Sequence, residues 1–312
     1  MNVLVTGGAG YIGSHVVLAL LDAGHSVVVI DDLSTGCSDN LPSDIPFFHV
    51  DIRDEQALRA CFEKHSIDAI IHLAAKKAVG ESMKHPELYF SVNVEGTRVL
   101  AQEARRAGVK KFVFSSSAAV YGNPSESPVT EHTPLAPESV YGVTKKMGEE
   151  LLLWFGFTLV NLRYFNVVGY DPSGRITVPE KQPQNLFPIL CETGVGVRER
   201  VQIFGTDYDT RDGTCERDYV HVTDLATAHV RALSLDESIT LNLGIGRALS
   251  VRECVYAAQE VFGEFAVEDA PRRSGDPAAY YANPSRAQEV LGWEAQITNP
   301  VEMITTMKPL YE

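Results

Sequence analysis

The stretch Val3-Leu4-Val5-Thr6-Gly7-Gly8-Ala9-Gly10-Tyr11-Ile12-Gly13 decides how this chain folds. Its apolar start predicts a short buried strand that ends directly at the glycines. The glycines fit GxGxxG when counted from Gly8 and the GxxGxxG variant when counted from Gly7. A strand, a glycine turn and an apolar helix in this order predict a dinucleotide site, with the helix N-terminus facing a pyrophosphate.

An acidic residue ends the next apolar run, Val27-Val28-Val29-Ile30. Asp31 lies about 20 residues beyond the glycines, where a carboxylate accepts a hydrogen bond from a ribose 2′-hydroxyl. It would repel a 2′-phosphate, and no arginine stands between Asp31 and Asp51. The sequence therefore predicts NAD rather than NADP. Asp51, after the third predicted strand, either bounds the adenine together with Ile52 or caps a helix.

Apolar runs alternate with helical periodicity from residue 1 to about 165. Runs without polar alternation predict strands buried on both faces: Val3–Val5, Val27–Ile30, Phe47–Val50, Ala69–Leu73 and Phe112–Phe114. Helical patterns lie between them at 12–23, 54–65, 86–107 and 139–155. This alternation is typical of an α/β protein with a Rossmann-type, doubly wound parallel sheet, which binds ligands at the carboxyl ends of its strands.

Beyond residue 166, glycine, proline and charged residues become frequent. We predict an NAD-binding domain at 1–165, with sheet contributions from about 217–245, and a smaller mixed α/β C-terminal substrate lobe at 166–312. Helices are expected at 223–235 and 250–262. Asn242-Leu243-Gly244 is expected to return to the main sheet, so the lobe should interleave with the first domain.

Composition argues against several classes of protein. A formal net charge of −14 opposes binding to nucleic acid or an anionic membrane through a diffuse basic surface. No apolar run approaches the length of a membrane span. Nine histidines without clustered spacing predict no metal site. Five scattered cysteines without paired spacing predict reduced thiols in a cytoplasmic protein.

A second local pattern concerns proton transfer. In the helix predicted at 139–155, Tyr141 and Lys145 stand one turn apart, so the ammonium can lie beside the phenol. A fixed positive neighbour favours the phenolate, which lets a tyrosine act as acid or base near neutral pH. Ser117 follows the fifth predicted strand, where its hydroxyl could bond a substrate oxygen or Tyr141. The spacing alone is weak evidence, but with the glycine stretch it indicates a hydride-transferring enzyme.

Taken in order, the motifs resemble the extended short-chain dehydrogenases/reductases, and among them closely the UDP-glucose 4-epimerases. The likeness runs from Val3 to about Trp293. It rests on VTGGAGYIGSH, DDLSTG, LAAKKAVGES, FSSSAAVYG, YGVTK, LRYFNVVG, IFGTDYDTRDGTCERDYVHVTDLA, LNLGIG and APRRSGD. The resemblance implies an isomerase that uses tightly bound NAD to interconvert UDP-glucose and UDP-galactose through a 4-keto sugar.

Site residues follow from the resemblance position by position. It implies a catalytic set of Ser117, Tyr141 and Lys145. It implies NAD contacts from Gly7, Gly10, Tyr11, Ile12, Gly13, Asp31, Asp32, Leu33, Ser34, Thr35, Gly36, Asp51, Ile52, Leu73, Ala74, Ala75, Lys77, Asn93, Ser115, Tyr141, Lys145 and Phe165. It implies UDP-sugar contacts from Lys77, Ser117, Tyr141, Phe165, Asn166, Asn185, Leu186, Gln202, Phe204, Arg217, Arg273, Asp276 and Tyr280.

The chemistry of the side chains supports the implied roles of Arg217 and Arg273, because a planar guanidinium group can form two hydrogen bonds to a diphosphate. Arg272-Arg273 could instead be a solvated surface pair. Asp276 would accept a hydrogen bond from the uridine ribose. A bulky residue at Tyr280 resembles the enzymes confined to glucose and galactose, which predicts poor activity on UDP-N-acetylglucosamine; core packing is the other interpretation of Tyr280.

Other functions stay open from the sequence. Another NAD-dependent nucleotide-sugar epimerase, a decarboxylase or a dehydratase would share the fold. The dehydrating and decarboxylating relatives carry acidic residues just after the position of Ser117, where this chain has Ala118 and Ala119. A non-catalytic NAD-binding regulator is the alternative of another class, and the intact catalytic set argues against it.

The resemblance also implies a homodimer through the helices at about 86–107 and 139–155. The segment between Glu150 and Leu162 is shorter than the family usually has. Either Gly156 ends the helix and the connection is short, or residues are missing from the sequence at this point.

Overall fold

The computed structural model describes residues 1–181, 183, 185–273 and 276–312. Ser274 and Gly275 of the APRRSGD motif therefore lie outside the described residues. The chain divides into two compact units whose segments alternate along the sequence. The first unit comprises Met1–Gly122, Thr133–Arg163 and Ala226–Leu241, and the second comprises Asn123–His132, Tyr164–Leu225 and Asn242–Glu312.

Strands and helices are numbered in chain order. The strands are β1 (Asn2–Thr6), β2 (Ser26–Asp31), β3 (Phe47–His49), β4 (Ala69–His72), β5 (Lys111–Ser115), β6 (Thr158–Tyr164), β7 (Asn166–Val168), β8 (Arg200–Phe204), β9 (Glu216–Arg217), β10 (Tyr219–His221), β11 (Ile239–Leu243), β12 (Leu249–Ser250), β13 (Ala266–Ala270) and β14 (Ala279–Tyr280). The α-helices are α1 (Tyr11–Asp22), α2 (Glu55–Lys64), α3 (Val79–Lys84), α4 (Pro86–Tyr89), α5 (Thr97–Arg106), α6 (Val140–Leu153), α7 (Leu186–Gly194), α8 (Val222–Ala232), α9 (Val251–Phe262), α10 (Ser285–Leu291) and α11 (Pro300–Met307).

A seven-stranded sheet in the order β11-β6-β5-β4-β1-β2-β3 forms the centre of the first unit. The pairs from β6 through β3 are parallel. Val3, Leu4 and Val5 of β1 are fully buried, as expected where helices cover both faces of a sheet. The strand order reverses at β1, with β2 and β3 on one side and β4 to β6 on the other. This reversal creates the switch point at which such sheets bind ligands.

The fold confirms the predicted Rossmann-type sheet and the predicted return of Asn242-Leu243 to it in β11. The predicted sheet contribution from about 217–245 was too wide, because β9 and β10 pair with strands outside the main sheet. The helix predicted at 86–107 exists, but a π-helical segment at Phe90–Gly96 interrupts it between α4 and α5. The π-helical segment is defined by its i→i+5 hydrogen bonds, which apolar periodicity does not report.

The second unit contains small sheets rather than one large one. β7 pairs with β10 and β8 with β13, while β9 lies between β12 and β14. Asp218 follows β9 and is fully buried. Its carboxylate accepts hydrogen bonds from the backbone N–H groups of Ile245 (2.8 Å), Gly246 (3.2 Å) and Ala282 (3.0 Å). One side chain therefore holds two separate loops together, which is how short strands gain a fixed arrangement.

The connection between α6 and β6 is short. The helix ends at Leu153, Gly156 takes a φ of +76°, and β6 begins at Thr158. A left-handed glycine just beyond a helix is a common way to stop it. The structure of this sequence has a short connection at this point, in which Trp154 is 86% exposed.

Within the described residues, no helix is long and apolar enough to cross a membrane. The same part of the chain contains no group of three or more histidine, cysteine, aspartate or glutamate side chains placed to hold a metal ion.

Candidate active site

The glycine stretch joins β1 to α1, and its own backbone atoms pack closely against one another. Gly7 has a φ of +72°, a conformation that favours glycine. A Cβ on Gly13 would collide with the carbonyl oxygen of Gly7 and lie 2.7 Å from the Cα of Gly8. Gly10 caps α1 without a side-chain hydrogen bond. Such a cradle fits the pyrophosphate of a dinucleotide.

Three predicted cofactor loops meet at this edge of the sheet. The carbonyl oxygen of Ala9 accepts a hydrogen bond from the backbone N–H of Cys37 (2.9 Å), which connects the glycine stretch to the loop after β2. A Cβ on Gly7 would lie 2.6 Å from the backbone nitrogen of Ala74. The Lys76 ammonium donates to the Ser34 hydroxyl (3.0 Å). The structure therefore brings together predicted residues as far apart in sequence as Gly7 and Ala74.

Asp31 organises two of these loops. Its carboxylate is buried and accepts from the backbone N–H groups of Ala9 (2.9 Å) and Leu33 (2.8 Å). Burial raises the pKa of Asp31, while these two hydrogen bonds oppose the shift. Leu33 has a φ of +53°, which is uncommon for a side chain of this size. The predicted ribose acceptor thus also fixes the shape of the loop around it.

Two other predicted cofactor residues are engaged by neighbours. Arg53 donates hydrogen bonds to the Asp51 carboxylate from Nε (3.0 Å) and from a terminal nitrogen (2.5 Å), and these bonds lower the pKa of Asp51. Asn93, in the π-helical segment, bonds the backbone of Lys76 through both side-chain atoms (2.8 and 2.9 Å) and donates to Thr144 (3.0 Å). Asn93 therefore positions the loop that carries Lys77.

The predicted catalytic residues lie together in the first unit. Ser117 follows β5 and Tyr141 stands in the first turn of α6, and their side chains are hydrogen-bonded. Burial raises the pKa of the Tyr141 phenol, and the Ser117 hydrogen bond works in the opposite direction. The predicted contact between these two side chains is therefore present, but burial is the larger influence on the phenol.

Lys145 lies one turn further along α6 and is 3% exposed. Its ammonium donates to the carbonyl oxygen of Ser115 (2.7 Å) and stands 5.9 Å from the centre of the Tyr141 ring. Burial lowers the pKa of Lys145 to about 7, and the carboxylate of Glu149 opposes this shift. The predicted one-turn spacing thus places the Lys145 ammonium beside the phenol, and the hydrogen bond to the Ser115 carbonyl fixes its position.

A buried ion pair next to these residues was not predicted from the sequence. Glu149 of α6 accepts from Arg163 of β6 at 2.8 and 2.6 Å, and each residue is 5% exposed. Ser116 donates to the same carboxylate, and Arg163 also donates to the Tyr121 hydroxyl (3.1 Å). The only local signal was the repeat of polar residues at 141, 145 and 149, which places three side chains on one helix face.

Predicted nucleotide residues lie in the second unit. Arg217 donates to the carbonyl of Pro277 (2.8 Å) and reaches Asp276 at 3.4 Å. The structure brings this predicted diphosphate ligand and the predicted ribose acceptor into one group, with the Arg217 side chain 15% exposed. The carbonyl fixes the guanidinium without an opposing charge, whereas the Asp276 carboxylate is an ion-pair partner at 3.4 Å.

The two consecutive arginines have different surroundings. Arg272 pairs with Asp207 (2.7 Å) and stacks 4.0 Å from the Tyr208 ring centre. Arg273 lies 3.8 Å over the ring of Phe204. Both arginines are exposed, so the interpretation as a solvated surface pair stays open, although each guanidinium also lies over an aromatic ring.

The remaining predicted substrate residues are spread over the second unit. The rings of Phe165 and Tyr280 are 5.0 Å apart. Asn166 donates to the carbonyl of Asp218 (2.9 Å). Asn185 precedes Leu186 at the start of α7 and makes no side-chain cap bond there, and the amide of Gln202 in β8 reaches Glu268 at 3.3 Å.

Comparison with known proteins gives one consistent result. The chain matches the NAD dependent epimerase/dehydratase family over residues 3–244. It is 47% identical to a UDP-glucose 4-epimerase of Halalkalibacterium halodurans, over 97% of this chain and 93% of that protein. A UDP-glucose-4-epimerase of Stenotrophomonas maltophila, solved with bound NAD and formylated UDP-arabinopyranose, is 41% identical with a TM-score of 0.95 and covers 100% of this chain and 98% of that one. A UDP-glucose 4-epimerase of Bifidobacterium longum, in complex with NAD+ and UDP, is 38% identical with a TM-score of 0.93 over 99% and 98%.

Proposed function

The chain belongs to the NAD dependent epimerase/dehydratase family, and we propose that it interconverts UDP-glucose and UDP-galactose with tightly bound NAD. The observation that carries the proposal is the grouping of Ser117, Tyr141 and Lys145 in the unit that also holds the glycine cradle. The named relatives support the substrate, because they are UDP-glucose 4-epimerases over nearly their full length.

The residues divide the chemistry between them. Bound NAD would supply a reversible acceptor for the hydride of sugar C4. Tyr141 would remove the proton of the 4-hydroxyl and later return it, so that the 4-keto sugar is reduced on its other face. Ser117 would hold the same oxygen through its hydroxyl. Lys145 stabilises the phenolate by charge. Arg217 and Arg273 would hold the diphosphate while the sugar turns over.

Incubation with UDP-galactose tests this function directly. The protein is isolated without oxygen, its bound nicotinamide is assayed, and product and cofactor are followed together. We expect UDP-glucose to form without net reduction of NAD, because the hydride returns in every turnover. Formation of a 4-keto-6-deoxy sugar or of CO2 would instead identify a dehydratase or decarboxylase. Absence of turnover on any nucleotide sugar would favour the non-catalytic regulator.

Two alanines weigh against the rival reactions. Those reactions need an acidic side chain just after the catalytic serine position, according to the family likeness. Here Ala118 and Ala119 open the 3-10 turn Ala118–Val120, with Ala118 buried. Neither side chain can transfer a proton, which supports simple epimerisation.

Tyr280 should restrict the sugar. Its ring lies against Phe165, and two bulky side chains beside the bound sugar would leave little space for an N-acetyl group at C2. We expect UDP-N-acetylglucosamine to be a poor substrate, and Tyr280→Ser to raise kcat/KM for it relative to UDP-galactose by roughly 10-fold or more. Assays of both sugars with both proteins measure this ratio. Comparable turnover of the two sugars by the unmodified protein would assign Tyr280 to packing.

The protein is proposed to act as a cytoplasmic homodimer. Phe90, Met147, Leu153 and Trp154 are exposed on or beside the helical segments predicted to pair, and exposed apolar groups of this kind favour burial against a second copy. The molar mass in solution tests the pairing. All five cysteines are free thiols, which fits a reducing compartment.

A further inference from the structure

The strand end of β5 and one face of α6 meet in three successive contacts. Tyr141, Lys145 and Glu149 are four residues apart, so they lie in a row along the helix. The paired groups are the hydroxyl of Ser117 with the phenol of Tyr141, the carbonyl of Ser115 with the ammonium of Lys145, and the hydroxyl of Ser116 with the carboxylate of Glu149. Two of these pairs belong to the catalytic set, and the third does not.

The third pair is anchored to the neighbouring strand. β5 and β6 pair with Ser115 opposite Leu162, so the next residues are Ser116, directly after the end of β5, and Arg163, within β6. Arg163 donates twice to Glu149, and the Ser116 backbone N–H donates to the Leu162 carbonyl (2.9 Å). The buried carboxylate is therefore held from the residue that follows β5 and from β6.

The same arginine also reaches the far end of the serine loop, which we define as residues 115–121. Arg163 donates to the Tyr121 hydroxyl (3.1 Å) and lies 5.1 Å over its ring. Ser116 and Tyr121 are both essentially inaccessible to solvent. Ser117 lies between these two anchored residues. The ion pair thus holds the serine loop on both sides of the catalytic hydroxyl.

We propose that Glu149 and Arg163 are positioning residues for catalysis: by clamping Ser116 and Tyr121, they fix Ser117 against Tyr141 and the Ser115 carbonyl against Lys145. This inference rests on the proposed function for its kinetic part. Neither residue needs to touch the substrate. A buried ion pair is costly to desolvate and is weak evidence for stability alone, whereas a clamp on a reacting group explains why one is placed here.

The charge of Glu149 has a second consequence for Lys145. The titratable groups that face the ammonium are Tyr141 and Glu149 on α6 and His72 on β4. His72 is held between Thr6 and Thr97, and burial keeps its pKa near 3, so it is neutral. Glu149 is then the negative charge that favours the ammonium, opposing the burial that lowers the pKa of Lys145.

Glu149→Gln and Ser116→Ala test the clamp. We expect Glu149→Gln to lower kcat roughly 10- to 100-fold with little change in the KM for UDP-galactose, because a displaced serine loop misplaces the reacting groups. The decline of kcat at high pH should begin at a lower pH, since the ammonium is lost earlier. Ser116→Ala keeps the ion pair and should lower kcat about fivefold.

A substrate-independent readout separates this inference from the proposed function. The ultraviolet absorbance of phenolate, taken as the difference between each protein and its Tyr141→Phe form, reports the titration of Tyr141. We expect Glu149→Gln and Ser116→Ala to move that titration to higher pH. If UDP-galactose is not converted by the unmodified protein, the proposed function fails while this titration still decides the clamp.

Glu103→Gln is the matched control. Glu103 is also buried (2%) and paired with an arginine, Arg59 (3.0 Å), but it lies on α5. It should lower Tm without changing kcat, its pH profile or the Tyr141 titration. Unchanged kcat and titration in Glu149→Gln would overturn the proposal. If Glu149→Gln does not fold because Arg163 is left unpaired, the Ser116→Ala variant tests the proposal instead. An unchanged kcat and an unchanged Tyr141 titration in Ser116→Ala would then overturn the proposal.

Discussion

Tyr141→Phe is expected to lower kcat for UDP-galactose by roughly 10³-fold, within the range that general acid–base groups contribute. The reason is that phenylalanine keeps the ring but cannot accept or return the proton of the 4-hydroxyl. NAD should stay bound, because the glycine cradle and Asp31 are unchanged. The measurement is a progress curve for UDP-glucose formation, together with the nicotinamide content of the purified variant.

Tyr170→Phe provides the comparison. Tyr170 is buried, and its hydroxyl accepts from the backbone N–H of Glu180 (2.9 Å) in the second unit. Its loss should lower the free energy of unfolding by about 1 kcal/mol for each hydrogen bond removed, and leave kcat unchanged. Near-normal turnover by Tyr141→Phe would remove Tyr141 from the proton transfer. Loss of NAD from that variant would show that the phenol acts in binding instead.

Gly13→Ala should have the largest effect on the cofactor. The added methyl group would meet the Gly7 carbonyl and stand 2.7 Å from the Cα of Gly8. Both obstacles are backbone, so the turn itself must open, and the N–H groups at the start of α1 move away from the pyrophosphate. We expect NAD affinity to fall roughly 100-fold, or about 2.7 kcal/mol, and overpacking to lower stability by about 1–3 kcal/mol.

Gly80→Ala is the control for this substitution. Gly80 lies in α3, and a Cβ there meets nothing within 4 Å. Alanine should stabilise the helix by about 0.5–1 kcal/mol and leave NAD binding as it is. Titration calorimetry on protein stripped of cofactor, and thermal unfolding with and without added NAD, compare the two variants. Equal NAD affinity in Gly13→Ala and the unmodified protein would contradict the assigned role of the cradle.

Much of the fold was predictable because it depends on the order and spacing of residues that are close together in sequence. Strand β1, the glycines and α1 are consecutive in sequence, and each requires only its neighbours to be recognised. The same is true of Tyr141 and Lys145, whose proximity follows from helical spacing alone. The π-helical segment at Phe90–Gly96 escaped prediction, since it is defined by i→i+5 hydrogen bonds that apolar periodicity does not report.

The sequence by itself determined the parallel sheet, the dinucleotide turn and the proton-transferring pair, because local spacing and burial decide these features. Only the tertiary structure decided which strands are neighbours, that Asp31 supports the turn it serves, and that Glu149 pairs with Arg163. The pairing of Glu149 with Arg163 depends on the register of β5 and β6, which places Ser115 opposite Leu162 and so brings Ser116 and Arg163 near one carboxylate. Register depends on which face of each strand is buried in the folded sheet, and residues distant in sequence decide this.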